Sequence, residues 1–333
     1  IDAKKIYILG TLLTILSCVG FALFVEGFWN AIIFRIIGGI GLAGTYMPGL
    51  KALSDRLSGT SRIRATSFYT SSFGIGSAIS FLLGGFVLDW FPWESAFWIA
   101  GFSSILAMII AWNVLEDIPY NVGKRSILNL LDLSVVFKNY KTIGWISCYS
   151  SHNYELFAFR SWIVAYLAFA LSDSSGGNFI QPSIIVFIGT ILGMPSSVIG
   201  NELSMRFGRK RIVFGIMCIS AFLSVLVGYS SNMAIPFMIF FILVYGCFVT
   251  GESASITSGV IESAEKANRG ATMAVHSSIG FIGSFLGPIG FGIVLNEFGG
   301  HNSSEAWFWA FSSTGSILLL GPLLFLLLTF KKN

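Results

Sequence analysis

The densest polar run inside any apolar stretch of this chain is Cys148-Tyr-Ser-Ser-His152-Asn153-Tyr154-Glu155-Leu-Phe-Ala-Phe159-Arg160-Ser-Trp162. Wound as a helix, it brings His152, Glu155, Phe159, Trp162 and Tyr166 onto one face, in steps of three and four residues. A carboxylate and an imidazole one turn apart can share or relay a proton, since histidine titrates near neutrality. The rings beyond them give that face an aromatic surface. Arg160 falls roughly 140° around the helix from Glu155, so it is expected to meet another helix or an anionic ligand. Glu155 has two readings: a structural carboxylate bonded to a neighbouring helix, or an acid that binds ligand or couples to protons. A packed core histidine is the rival reading for His152.

A second set lies further along. If the apolar block Ala234–Val249 continues as helix, Tyr245, Glu252 and Ser255 share a face, with Glu252 read either as a second functional acid or as a structural one. His276 begins a seam of Gly280, Gly283, Gly287 and Gly290, which reads as close helix packing. Arg35 and Arg160 are the only cations within apolar stretches, and they are expected to pair with these acids until an anion displaces them.

The elements that carry these residues are membrane helices. Of 333 residues 54% are hydrophobic and 11% charged, against about 25% charged in soluble domains. Tyr7–Val25, Ser95–Leu115, Ser183–Ile199, Ile212–Val227, Ala234–Val249 and Phe311–Phe330 are blocks long enough to approach or exceed the thickness of hydrocarbon. Ala31–Leu53, Thr66–Leu88, Gly144–Leu171 and Ala271–Leu295 are equally long but diluted with polar residues, and are expected to line a pathway. The predicted class is therefore an all-α membrane protein with ten spans.

Apart from Arg35 and Arg160, the 20 lysines and arginines fall in alternate connections: Lys4/Lys5, Lys51 to Arg64, Lys124 to Lys141, Arg206 to Arg211, Lys266/Arg269 and Lys331/Lys332. The intervening connections carry none, which puts the basic set and the C-terminus in the cytoplasm. This distribution also accounts for the net charge of +4 without a nucleic-acid partner. The stretch 126–137 is expected to lie along the membrane surface and link two halves.

Several function classes fall away. Cys18, Cys148, Cys218 and Cys247 sit inside spans without paired or metal-ligand spacing. Three histidines, two in separate spans and one in a loop, make no hydrolase motif, and no phosphate loop is complete. No cofactor, metal or enzymatic activity is expected. Gly10–Val25 lacks the cleavage site of a secretory leader followed by a soluble domain.

Sliding the chain by 206 residues aligns Lys4-Lys5-Ile6 with Lys210-Arg211-Ile212 and Ala65–Ser72 with Ala271–Ser278. Such a repeat predicts a first half that opens about 65 residues before Ile1, the ten spans then being helices three to twelve of twelve. The loop Gly200-Asn-Glu-Leu-Ser-Met205-Arg206-Phe-Gly208-Arg209-Lys210-Arg211 resembles the G-x-x-x-D-R-x-G-R-K signature of the major facilitator superfamily. Arg206 to Lys210 match position for position, while Met205 stands in place of the aspartate and Asn201 in place of the leading glycine. Arg35-Ile-Ile-Gly38-Gly39-Ile-Gly41 is similar to a pattern of the family's proton-coupled members. The resemblance implies two pseudo-symmetric halves, 1–115 and 142–333, joined by a cytoplasmic linker at 116–141. It implies a monomeric, inner-membrane secondary transporter working by alternating access, expected to be a proton symporter, and the mixed Arg, Glu and His inventory of the spans favours a small polar or anionic organic solute. Arg206, Gly208, Arg209, Lys210 and Arg211, with Gly200, would form its gating loop. An exporter of amphipathic compounds and a non-transporting sensor are the alternatives.

Overall fold

A computed structural model of the chain describes residues 2–54, 56, 57, 59–116, 133–172, 181–265 and 268–330. Most of the linker expected at 116–141, including more than half of the surface stretch 126–137, and the terminal Lys331 and Lys332, lie outside those residues. The regular structure described is helical throughout, in two compact units, Ile1–Lys124 and Arg125–Asn333.

The first unit contains α1 (Ala3–Phe24), α2 (Phe28–Ser54), α3 (Gly59–Trp90) and α4 (Glu94–Val114). In the second are α5 (Ser134–Lys138), α6 (Tyr140–Leu171), α7 (Pro182–Phe207), α8 (Arg209–Tyr229), α9 (Ile235–Gly251), α10 (Ser253–Ser263), α11 (Arg269–Glu297) and α12 (Ser304–Phe330). Counting α9 and α10 as one span, ten helical segments among the described residues are long and apolar enough to cross a bilayer.

Their outward faces explain why water is the wrong solvent. Leu9, Leu12, Leu16 and Leu23 on α1, and Phe281, Ile282, Phe285 and Ile293 on α11, are each more than half exposed. Stripes of this kind would aggregate in water and are satisfied by lipid chains.

Inward, small residues let the backbones approach. In the first unit a Cβ added to Gly10 would lie 2.6 Å from the Gly44 carbonyl carbon, and Ser17 Oγ donates to the Phe34 carbonyl at 2.7 Å. Without a hydrophobic driving force between helices in lipid, such close packing and interhelical hydrogen bonds hold the pair together. In the second unit α11 lies against α6 along Gly280, Gly283, Gly287 and Gly290, so the glycine seam packs helices together. The α9–α10 span is interrupted at Glu252, although Ile256 N–H still donates to the Glu252 carbonyl at 2.9 Å.

Candidate functional site

α6 delivers its polar face into the interior of the second unit. His152 and Glu155 are fully buried there, as are Tyr245 of α9 and Glu252 between α9 and α10. His152 Nδ1 and Glu252 Oε1 lie 3.1 Å apart, joining residues one hundred positions apart in sequence. Glu155 Oε1 accepts from Ser220 Oγ at 2.9 Å and from Tyr245 OH at 3.0 Å. Four enclosed atoms, His152 Nε2, Glu155 Oε2, Glu252 Oε2 and His276 Nδ1, have no hydrogen-bond partner among the described residues. Buried polar atoms are ordinarily satisfied, and unsatisfied ones concentrate where a proton, a water or a ligand is handled.

His276 reaches this cluster from α11 by stacking on Tyr149 with ring centroids 3.8 Å apart, and Tyr149 lies one turn before His152. Asn153 is buried against α11 at Gly280. The α6 stripe then changes character along its length. Phe159 meets Tyr245 edge-on at 4.9 Å. Trp162 Nε1 donates to the Pro288 carbonyl at 2.9 Å, and Tyr166 OH donates to the Val227 carbonyl at 2.6 Å. Both rings sit in an aromatic core with Phe291, Trp307 and Phe311, with their polar atoms satisfied. Two turns of one face thus carry the polar chemistry, and the next two carry packing.

Within the second unit, the expected pairing of Arg160 with a buried acid is absent among the described residues. Arg160 makes no ion pair with a described residue, because Glu155 is taken by hydroxyls and Glu252 by His152. Arg35 spreads its guanidinium over Phe21 and Phe97, at 4.2 and 4.8 Å from the ring centroids. The two rings themselves stack at 4.2 Å, so this cation ties α2 to α1 and α4. Gly38 and Gly41 of the same pattern face Ser17 and Thr14 of α1.

The basic motif is also built differently from the expected loop. α7 runs on to Phe207, so Gly200 and Arg206 are helical and the turn is the single residue Gly208. Gly200 packs directly on the carbonyl of Gly251. Hydropathy places the helix end too early, because a membrane helix keeps its hydrogen bonds after leaving hydrocarbon. Gly208 has φ +95° and ψ 120°, a conformation that L side chains rarely adopt, with open space around it. Gly208→Ala is therefore expected to cost about 1–3 kcal/mol through backbone strain alone. Thermal unfolding of the purified protein in detergent would read it, and an unchanged midpoint would refute this account of the turn.

Beyond that turn Arg209 donates to the Ser255 carbonyl at 3.1 Å and to Glu262 Oε1 at 2.8 Å, fastening α8 to α10. The first unit has a similar tie with charges exchanged and one partner displaced by a residue. Arg56 lies 3.8 Å from Asp2 and also donates to the carbonyls of Ala52 and Glu116. At the repeat shift of 206, Asp2 falls on Gly208 and Arg56 on Glu262. Lys210 lies over Phe214 and Phe325, while Arg206 and Arg211 are exposed.

Sequence reasoning did not find Ser220 or Tyr149. Ser220 is a lone hydroxyl in an apolar block, with no local signal that an acid faces it. Tyr149 had one usable clue, its spacing of three from His152.

The model of the Major Facilitator Superfamily matches this chain twice, over residues 1–171 and 154–333. A Haemophilus influenzae protein assigned to metabolite transport is 22% identical over 297 residues, covering 86% of this chain and 71% of its own length. The methylenomycin A resistance protein of Bacillus subtilis is 27% identical over 253 residues, covering 72% of this chain and 52% of that protein. The crystal structure of the nucleoside transporter NupG superposes with a TM-score of 0.75 at 17% identity, covering all of this chain and 84% of that one.

Proposed function

Because the chain belongs to the Major Facilitator Superfamily of multi-pass membrane transporters, we propose that it is a proton-coupled carrier of a small polar or anionic organic solute. The observation that carries this reading is the enclosure of two carboxylates with two imidazoles inside one helical unit, with four polar atoms left without partners. Ionisable groups at membrane depth are expensive and mark ion or substrate pathways. Glu155 keeps its two hydroxyl donors on Oε1, so a proton can arrive at or leave Oε2 without breaking either bond. His152 Nδ1 and Glu252 Oε1, 3.1 Å apart, form a second place where a proton can be shared. Glu252 stands where α9 gives way to α10, so a change in its charge acts on the joint of that span.

Transport then proceeds by alternating access, with 1–115 and 142–333 as the two halves. The alternation of cations along the chain supports a cytoplasmic C-terminus; the inner membrane and a monomeric state complete the proposal.

The test uses the complete protein in liposomes. An inward proton gradient is expected to drive solute accumulation that a protonophore abolishes; uptake indifferent to both would defeat the proposal. A second reading, export of amphipathic compounds, is favoured by the resistance protein among the relatives. Gradient-driven movement of such compounds out of the cytoplasmic side, without uptake of polar solutes, would select it.

A further inference from the structure

Deepening that reading, and resting on it for its purpose, we propose that the cleft around Arg160 binds the carboxylate of a slender monocarboxylate with an apolar body. The cleft lies between α6, α7 and α9, with Phe159, Arg160, Ile185, Gly189, Gly246 and Val249 among its walls. Apart from Arg160 those walls are apolar or already satisfied. Thr190 Oγ1 donates to the Val186 carbonyl at 2.8 Å, and Thr250 Oγ1 to the carbonyls of Gly193 and Gly246 at 3.0 Å each.

Arg160 is the group there with donors to spare, and no described carboxylate answers it. A guanidinium held among apolar side chains within a membrane span needs a counter-charge, and its planar fork matches a carboxylate with two parallel hydrogen bonds. The space is narrow. About 30 Å³ is open to the centre of a water molecule, room for a carboxylate head or about two waters. Gly189 and Gly246 keep it open, the Gly189 carbonyl lying 3.9 Å from where a Gly246 Cβ would stand.

The cleft also touches the proton site. Phe159 forms part of its wall and rests edge-on against Tyr245, whose hydroxyl donates to Glu155. A ligand seated on Arg160 presses on Phe159 and, through Tyr245, on the acid, so solute and proton act on one another through a single ring contact.

The experiment measures binding of benzoate, hexanoate and cyclohexanecarboxylate to the purified complete protein by tryptophan fluorescence and thermal shift. Benzamide and benzylamine serve as neutral and cationic controls. At least one carboxylate is expected to bind and the controls not to. Arg160→Gln should weaken that binding about tenfold or more, and Arg160→Lys by less. Gly246→Ala, whose added methyl has no neighbour closer than 3.7 Å, should weaken it with the charge untouched, and it provides an arm that does not depend on Arg160→Gln folding. Binding by none of the carboxylates, equal binding by the controls, or full affinity in Arg160→Gln and Gly246→Ala would overturn the site. Arg160-dependent binding without gradient-driven uptake would instead uphold the site and defeat the transport reading.

Discussion

Glu155→Gln is expected to reduce gradient-driven accumulation to the level of protein-free liposomes, while solute exchange at equal pH on both sides persists. The amide is nearly isosteric and its oxygen can still accept from Ser220 and Tyr245, which donate to Oε1 in the native protein. What it loses is the ability to take up and release a proton at the enclosed Oε2. A purely structural carboxylate predicts the reverse pattern: a modest loss of stability, with coupling intact. Parallel measurements of proton flux, solute flux and melting temperature separate the two. Accumulation at the native level in a well-folded Glu155→Gln protein would end the case for Glu155 as the coupling acid.

The second large effect concerns packing. Gly287→Val should lower the melting temperature of the detergent-solubilised protein by about 10 °C or more. A Cβ at Gly287 would run into the Tyr154 carbonyl group, with its carbon 3.0 Å and the Tyr154 Cα 3.1 Å away. Backbone cannot rotate aside as a long side chain can, so α11 must back away from α6. That movement also shifts His276 from Tyr149 and opens the wall beside His152. Gly215→Ala is the matched control, since a methyl there meets nothing within 4 Å. It should be neutral or slightly stabilising, by the ordinary helix propensity of alanine over glycine. Equal melting points for Gly287→Val and Gly215→Ala would show that the seam is not a close helix contact.

The relation between sequence and site is clearest on α6. That His152 and Glu155 share a face follows from helical periodicity, which is a local property. What they face does not. Glu252 lies one hundred residues from His152, and Ser220 lies sixty-five from Glu155. Spacing within one helix carries no information about such partners. The same limit explains the two arginines. Their isolation among apolar residues suggested ion pairs with acids, yet Arg35 found two aromatic faces on neighbouring helices and Arg160 an apolar cleft. A cation in a low-dielectric setting takes whichever partner the packing brings close.

By itself the sequence determined that the chain spans a membrane about ten times, which connections carry the cations, and which helix bears the densest chemistry. Those features follow from residue-by-residue transfer energies and from the period of the helix, which need no knowledge of neighbours. Only the tertiary structure decided that α7 stays helical through Phe207 to a one-residue turn at Gly208, and that His152 meets Glu252 while Glu155 takes Tyr245 and Ser220. It also decided that Trp162 and Tyr166 close a core instead of lining the Arg160 cleft. The reason is that a buried polar group settles its free energy with groups from other helices, and their arrival depends on where backbones can approach, at Gly200 against Gly251 and at Gly287 against Tyr154.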